Sequence, residues 1–314
     1  MSTSVMNPVR SNSAVKELEQ RSSIATRLAC YAEMAKPRIA LMVLLSMGVG
    51  YLLGSEGVWR LTPLLNASIG VVLAVFSASA LNQVYERHTD AKMARTENRP
   101  LPSGKLTTSE VLLFAIACSI VSFIYLLLTV NPLTAVLTAT TTVLYAGVYT
   151  PLKRHTTFCT AVGAIPGAAP PVLGWVAAGG SLDIVAFSLF AILFVWQFPH
   201  FLAIAWMYHD QYAGAGLKMV PGAGRPKVIG AISLGYALVL LPVSLLPTHF
   251  GLAGDFYAVV AILLGIVYAV AAFGFYRDES RQQARRLLFA SLIYLPGVLL
   301  AMTFDHLRLL NEIL

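Results

Sequence analysis

The chain has 314 residues, of which 57% are hydrophobic and 12% charged, and its mean hydropathy is +0.71. Apolar runs of about 18 to 22 residues recur along it, and runs of that length are typical of membrane-spanning helices and exclude an ordinary soluble core. The formal net charge is +7, but the Lys and Arg residues lack the interleaved aromatic residues of a nucleic-acid surface, so we expect no nucleic-acid partner.

Apolar runs bounded by Gly, Pro and charged residues predict an all-α, polytopic membrane protein with a bundle of nine spans. The predicted spans cover residues 39–55, 64–85, 109–129, 133–150, 158–178, 183–205, 228–247, 255–275 and 287–304. We expect residues 1–38 to form a polar cytosolic tail, residues 39–304 a single intramembrane domain, and residues 305–314 a short C-terminal tail.

The Lys and Arg residues of the connecting segments predict the orientation of the bundle. With a cytoplasmic N-terminus, 20 of the 22 fall on the cytoplasmic side, and the outer segments hold only Arg60 and Arg308. Because orientation follows this bias, the split supports both the span count and the cytoplasmic N-terminus. The polar motifs then share one side, so we expect a polar cavity that faces the cytoplasm, in an integral membrane protein.

A dense polar stretch, residues 82–104, follows the second apolar run. Asn82, Glu86 and Asp90 are spaced by four, so on a helix they form one row of oxygen-bearing side chains, here named the oxygen stripe. Mg²⁺ prefers oxygen ligands and is commonly shared between one or two carboxylates and a substrate phosphate. The stripe is therefore a candidate magnesium site, and a solvated helix end is the alternative.

Two pairs of bases lie on the same side of the bundle as the stripe. Arg95 and Arg99 precede a Pro-Leu-Pro-Ser-Gly turn that leads back to the third span. Lys153 and Arg154 follow the fourth span. One guanidinium group can donate two parallel hydrogen bonds to two oxygens of a phosphate. Bases beside a metal site therefore indicate a diphosphate ligand. Anchoring of the helix ends at the membrane surface is the alternative.

Two further polar groups, His200 and Asp210, lie at the end of the sixth span. Asp210 is a candidate fourth metal ligand, whereas His200 is either part of a site or a histidine bonded to a neighbouring helix. Ten residues separate them, about 280° on an ideal helix, so they share a site only if Pro199 or the helix end changes the path. Lys36 and Arg38 begin the first span, where anchoring explains them equally well.

Four motifs carry a resemblance to a known family. Residues 82–90 (NQVYERHTD) and 95–104 (RTENRPLPSG) resemble the first aspartate-rich motif of the UbiA-type intramembrane prenyltransferases. Residues 149–156 (YTPLKRHT) are similar to the second basic element of that superfamily. Residues 196–200 (WQFPH) and 210–221 (DQYAGAGLKMVP) are similar to the protohaem IX farnesyltransferase family within it. The resemblance covers about residues 35–304.

The resemblance implies roles for nine residues. Four would hold Mg²⁺ on a farnesyl diphosphate: Asn82, Glu86, Asp90 and Asp210. Four would contact its phosphates: Arg95, Arg99, Lys153 and Arg154. His200 would lie on the haem side, as a base, a haem contact or a structural group. Glu86 stands where Asp is commoner in the superfamily, and Trp206 stands where the second motif's first aspartate would fall, which leaves the number of magnesium ions open.

The implied reaction is the transfer of a farnesyl group to a vinyl group of haem B, by ionisation of the allylic diphosphate, attack by the vinyl group and capture by water. Farnesyl diphosphate and haem B are the implied substrates, and a haem A synthase is the implied protein partner. A UbiA-type enzyme with an aromatic acceptor such as 4-hydroxybenzoate would share the metal and diphosphate residues, and only residues 196–212 argue against it. A secondary transporter would place charges on broken helices at the bilayer midplane and have an inverted repeat, neither of which is evident in the sequence.

Overall fold

The computed structural model describes residues 24–55, 57–58, 60–222 and 225–313, so residues 1–23 of the predicted N-terminal tail lie outside the described part. Within that part nine helices are long and apolar enough to cross a membrane, which confirms the predicted all-α membrane fold. They are α1 Pro37–Gly54, α2 Leu61–Asp90, α3 Thr108–Thr129, α4 Pro132–Leu152, α5 Cys159–Ala177, α6 Ile184–Met207, α7 Val228–His249, α8 Asp255–Arg277 and α9 Arg281–Ile313. A helix over residues 24–34 precedes α1, and a short helix, His209–Gly214, follows α6.

Two helices extend beyond their predicted spans. α2 has 30 residues and continues to Asp90 rather than ending at residue 85. α9 begins at Arg281 and continues through residues 305–313, which we expected to form a tail. At 1.5 Å per residue α2 is about 45 Å long, whereas the apolar core of a bilayer is about 30 Å thick. The last turns of α2 therefore reach past the apolar core and carry the whole oxygen stripe on one helix.

Local sequence signals set the starts of several helices. Thr107 and Glu110 form a capping box at the start of α3, in which each side chain accepts a backbone N–H of the other residue. Asn131 accepts from Thr134 N at 2.8 Å at the start of α4, and Asp183 accepts from backbone N–H groups at the start of α6. These caps satisfy N–H groups that a helix leaves unpaired, and so they fix where each span begins.

The helices pack into a bundle in which α5 and α6 join the two halves. α1 packs on α5 and α2 on α3, while α6 packs on α5, α7 and α9, and α8 packs on α7 and α9. The contact of α1 with α5 is close because it contains two glycines. A Cβ atom on Gly50 would overlap the carbonyl oxygen of Pro171, and one on Gly174 would overlap that of Met47. Small residues allow such close approach of membrane helices.

The end of α4 departs from α-helical geometry. Leu144–Tyr149 is a π-helical segment, after which the chain returns to an α-helix over Thr150–Leu152. Segments of π-helix are rare and often lie at functional sites. This one carries Tyr145 and Tyr149, whose ring centres lie 5.3 Å apart. Both rings line the cavity described next.

Candidate active site

A cavity of about 390 Å³ lies where the start of α1, the end of α2, the π-helical segment of α4 and the chain after α6 meet. Six of the nine predicted site residues line it: Asn82, Glu86, Asp90, Arg95, Arg99 and Lys153. Lys36, which the sequence left open, lines it as well. The structure therefore brings the whole oxygen stripe together with three of the four predicted phosphate bases.

Each carboxylate of the stripe is bonded to a base. Glu86 Oε1 accepts from Lys153 Nζ at 2.8 Å, and Asp90 Oδ2 accepts from Arg99 Nη1 at 2.7 Å. Both carboxylates are almost fully buried, with 7% of Glu86 and 1% of Asp90 exposed. An unpaired charge is costly to bury, so these two pairs allow four charged groups to remain in the wall of the cavity.

Asn82 links α1, α2 and α4 at the inner end of the stripe. Its Nδ2 donates to Thr150 Oγ1 at 3.2 Å, and its Oδ1 accepts from Lys36 Nζ at 3.4 Å. Lys36 has a left-handed backbone with φ of 50°, which is uncommon for a residue other than glycine. Burial lowers the pKa of Lys36, and the nearby Arg99 and Lys153 charges also lower it. Lys36 is thus an additional base in the cavity wall.

Lys153 is held at the end of α4 by contacts with three other residues. Its Nζ bonds to Glu86 and lies 4.4 Å from the centre of the Tyr149 ring. Its carbonyl oxygen accepts from Lys218 N at 2.7 Å, which ties the chain after α6 to the cavity. Burial opposes the charge of Lys153, but Tyr149 and Glu86 raise the pKa of this lysine above its ordinary value. Lys153 therefore keeps its positive charge.

The oxygen atoms of the stripe fit a cation that is shared with a phosphate. Among the described residues Asp90 Oδ1 is buried and has no hydrogen-bond partner, and the hydrogen bond that Asn82 Oδ1 accepts from Lys36 is long, at 3.4 Å. Among the described residues, no three His, Cys, Asp or Glu side chains lie close enough together to hold a metal by themselves. Two carboxylates suit Mg²⁺ because it usually takes its other ligands from water and substrate phosphates.

Arg154 and Asp210 lie outside this cavity. Arg154 Nη2 donates to the carbonyl oxygen of Tyr85 at 2.8 Å, and its side chain lines a smaller cavity of about 170 Å³ that shares Glu86 with the larger one. Asp210 lies on the short helix after α6, where its side chain is 91% exposed and 3.1 Å from His209 Nε2. The structure does not bring Asp210 together with the other predicted metal ligands, and its role remains a prediction.

His200 also lies outside the cavity, on α6. Its Nδ1 lies 2.7 Å from Ser291 Oγ of α9, a residue 91 positions further along the chain. The imidazole stacks on Trp196 with ring centres 5.0 Å apart. Trp196 Nε1 donates to the carbonyl oxygen of Ser291 at 2.9 Å. The sequence did not identify Ser291 as the partner of His200, because nothing in an apolar span distinguishes a serine that bonds to a distant histidine from any other serine.

One family matches the sequence along most of its length. The model of the UbiA prenyltransferase family matches residues 43–293. A relative from Solibacter usitatus named "Protoheme IX farnesyltransferase" is 43% identical over 292 residues, covering 88% of this chain and 98% of the relative. A relative of the same name from Myxococcus xanthus is 40% identical over 287 residues, covering 90% of this chain and 97% of the relative.

Solved structures share the fold. One, from work on digeranylgeranylglyceryl phosphate synthase, has a TM-score of 0.77 at 16% identity and covers 90% of this chain and 99% of its own. A UbiA homolog from Archaeoglobus fulgidus bound to DMAPP and Mg²⁺ has a TM-score of 0.63 at 17% identity, covering 87% of this chain and 99% of its own. At these identities the likeness concerns the arrangement of the helices.

Proposed function

The chain belongs to the UbiA prenyltransferase family, and we propose that it transfers a farnesyl group from farnesyl diphosphate to a vinyl group of haem B, giving haem O and diphosphate. The observation that carries the reaction type is the cavity in which the oxygen stripe and four bases converge. The acceptor is inferred from the relatives that share the name protoheme IX farnesyltransferase, at identities from 36% to 44%.

In this proposal four bases of the cavity hold the diphosphate: Lys36, Arg95, Arg99 and Lys153. Negative charge accumulates on the diphosphate as its bond to the farnesyl carbon breaks, and fixed positive groups stabilise that charge. Arg99 and Lys153 now bond to carboxylates, so they would exchange carboxylate oxygens for phosphate oxygens when the substrate binds. Arg154 would act at the edge of the site, from the smaller cavity.

Asn82, Glu86 and Asp90 would hold Mg²⁺ against the diphosphate, and the ion would supply positive charge to the leaving group. Asp90 Oδ1 supports this role because it is buried and no other described residue bonds to it. The Archaeoglobus fulgidus homolog that is bound to DMAPP and Mg²⁺ has the same fold. Asp210 would join these ligands only if the helix His209–Gly214 moved, since its side chain now faces solvent.

The π-helical segment of α4 would protect the reactive cation. Tyr145 and Tyr149 present aromatic rings to the cavity, and Met219 adds an apolar surface. Aromatic faces attract cations, and an apolar wall keeps water from capturing the farnesyl cation before the vinyl group reacts. Tyr149 packs directly against Gly163 of α5, where a Cβ would lie 2.6 Å from the ring. Its position is therefore fixed by the neighbouring helix.

We further propose that the protein lies in the bacterial inner membrane and that its cavity opens to the cytoplasm. The support is the charge bias, since 20 of the 22 Lys and Arg residues fall on that side. Both substrates would then enter from the cytoplasm or the inner leaflet. The hydroxyethylfarnesyl product is too apolar to leave the bilayer readily, so a membrane-bound haem A synthase is the proposed partner that receives it.

Incubation of the purified protein with haem B, farnesyl diphosphate and Mg²⁺ tests the proposal. The extracted porphyrin should gain the mass of one farnesyl group and one hydroxyl group, and a chelator of divalent cations should prevent the gain. An unchanged haem mass with active, metal-replete protein would refute the proposal. Farnesylation of 4-hydroxybenzoate in place of haem would instead assign an aromatic acceptor.

Matched variants connect the reaction to the cavity. Glu86→Gln and Asp90→Asn should lower turnover by about 100-fold or more, because each removes an anionic ligand of the ion that stabilises the leaving group. Glu97→Gln is the control, since Glu97 is an exposed carboxylate in the loop that follows α2. Full activity in both cavity variants would separate the oxygen stripe from the reaction.

A further inference from the structure

The hydroxyl of Ser291 determines which nitrogen of His200 carries the proton. Ser291 Oγ lies 2.7 Å from His200 Nδ1 and donates to the carbonyl oxygen of Leu288 at 2.6 Å. A hydroxyl group has one proton to donate. Because the carbonyl of Leu288 takes that proton, Ser291 must accept a hydrogen bond from Nδ1–H. The neutral imidazole of His200 therefore has its free lone pair at Nε2.

The ring of His200 is also fixed in direction. Trp196 stacks on the imidazole and donates from Nε1 to the carbonyl oxygen of Ser291 at 2.9 Å. Tyr268 OH in turn donates to the carbonyl oxygen of Trp196 at 3.0 Å. Ser291 itself is fully buried, with 0% of its surface exposed. Ser291 of α9 therefore contacts both rings, Trp196 and His200 of α6, and fixes their positions.

His200 Nε2 has no hydrogen-bond partner among the described residues. The residue is partly exposed, and its side-chain hydrogen bond is the one at Nδ1. His200 lies within α6, about two turns before the end of the helix at Met207. An acceptor that lacks a partner at membrane depth is costly, and such polar groups usually mark functional sites.

The position of His200 is one helix away from the cavity. Gln197, three residues earlier on α6, donates from Nε2 to the carbonyl oxygen of Ala164 on α5 at 2.8 Å. The residue before Ala164, Gly163, packs against Tyr149 of the cavity wall. α5 therefore contacts both the cavity wall and the part of α6 that carries His200.

Building on the proposed function, we propose that Ser291 is a positioning residue that presents His200 Nε2 as a ligand to the iron of the substrate haem B. Neutral imidazole with a free nitrogen is the commonest protein ligand of metals. A hydrogen bond at the other ring nitrogen sets the tautomer and direction of such a ligand. The same tautomer argues against a contact with a haem propionate, because Nε2 has no proton to donate to a carboxylate.

The test is the binding of ferric haem B in the absence of farnesyl diphosphate, followed through the visible absorption and electron paramagnetic resonance spectra. Wild-type protein should give an imidazole-ligated spectrum that His200→Ala loses. Ser291→Ala should weaken haem binding by about 10- to 100-fold and decrease the imidazole-ligated fraction. Ser188→Ala is the matched control. Ser188 lies on α6, is fully buried like Ser291, and donates to the carbonyl oxygen of Val185 at 2.7 Å.

A second pair of variants separates the hydroxyl from the space that it fills. Thr and Val have nearly the same shape, so Ser291→Thr should keep the spectrum and Ser291→Val should lose it, even if both add strain. Farnesyl diphosphate binding should be equal in the two. Wild-type haem affinity and spectrum in Ser291→Ala and Ser291→Val would overturn the proposal, as would an imidazole-ligated spectrum in His200→Ala.

The wild-type transfer assay distinguishes this inference from the proposed function. If haem O forms while Ser291→Ala keeps the wild-type spectrum, only the role of Ser291 fails. If haem O does not form but the imidazole-ligated spectrum depends on Ser291, the proposed reaction fails and the histidine site stands.

Discussion

At the scale of single residues, Lys36 and Lys153 differ in how readily they lose a proton. Burial lowers the pKa of Lys36, whereas the pKa of Lys153 is raised through its contacts with Tyr149 and Glu86. As the pH rises, Lys36 therefore becomes neutral first. In a plot of diphosphate affinity against pH, the decrease on the alkaline side should consequently reflect the loss of the proton from Lys36, while Lys153 is still charged.

We expect the affinity for farnesyl diphosphate to fall as the pH rises through the lowered pKa of Lys36. Lys36→Met should bind about tenfold more weakly at neutral pH, because one charged hydrogen bond is lost, and should lack this alkaline step. Titration calorimetry over a series of pH values measures both effects. Arg38→Met, which removes an exposed base from the same helix start, should retain the step, and parallel profiles for wild type and Lys36→Met would contradict the prediction.

The pair of Glu86 and Lys153 gives a second prediction. Lys153→Met should lower the free energy of unfolding by about 3 kcal/mol, because it leaves the buried Glu86 carboxylate without its partner. Adding Glu86→Gln should recover most of the stability but not the turnover, as both groups are proposed to bind substrate. Denaturation in detergent measures the first effect and the transfer assay the second. Arg154→Met, an exposed neighbour, should change stability by less than about 0.5 kcal/mol.

The oxygen stripe is the part of the cavity whose arrangement follows from helical spacing. The stripe was predictable because a spacing of four places side chains on one face of any helix. Tyr145 and Tyr149 were missed because their direction depends on a π-helical segment, which the residue types of Leu144–Tyr149 do not indicate. Lys36 was left open because a base at a helix start has the same sequence context whether it binds a ligand or anchors the helix.

At the scale of helices, the position of Asp210 depends on contacts far along the chain. Trp206 Nε1 donates to the carbonyl oxygen of Glu279 at 2.5 Å. The Glu279 carboxylate accepts from Lys227 N at 2.8 Å and Gly230 N at 2.9 Å, which caps the start of α7. The chain after α6 is thus tied at both ends to the loop between α8 and α9. Such long-range contacts have no sequence pattern, so the direction of Asp210 could not be predicted.

The crossing of α1 and α5 gives a prediction at the same scale. Gly50→Ala and Gly174→Ala should each destabilise the protein by about 1 to 3 kcal/mol, because the added methyl group meets backbone of the facing helix and the two helices must separate. Gly48→Ala is the control on α1, since a Cβ at Gly48 has nothing within 4 Å. Thermal unfolding in detergent measures the difference, and equal stability of the Gly48 and Gly50 variants would contradict a close crossing.

Helix number was predictable, but helix ends were less so. In the part of the chain that the structure describes, nine apolar runs correspond to nine spans because each must satisfy its backbone hydrogen bonds within the bilayer. Hydropathy decreases at the first charged residues of a helix, so a hydropathy profile ends the second span at residue 85. The helix itself continues to Asp90, because Glu86 and Asp90 of α2 are paired with bases in the cavity. The prediction of a tail over residues 305–314 rested on the same loss of hydropathy, and α9 remains helical there through Ile313.

At the scale of the whole molecule, the charge bias makes a prediction about sidedness. The three native cysteines are buried, so single cysteines introduced at exposed positions can be labelled selectively. Glu97→Cys, in the loop between α2 and α3, should react with an impermeant maleimide only in inverted membrane vesicles. Ser181→Cys, in the loop between α5 and α6, should react in intact cells. The reverse pattern would place the cavity on the outer side of the membrane.

The two acid–base pairs in the cavity wall also have a thermodynamic consequence. A cation that binds the stripe must compete with Lys153 and Arg99 for Glu86 and Asp90, and a diphosphate must compete with those carboxylates for the same bases. With both ligands present, Glu86 and Asp90 would hold the cation, and Lys153 and Arg99 would be free to bind the diphosphate. Each ligand should therefore raise the affinity of the other by the same factor, since a coupling free energy is reciprocal. These competing ion pairs would thus make the protein selective for the metal–diphosphate complex over either component alone.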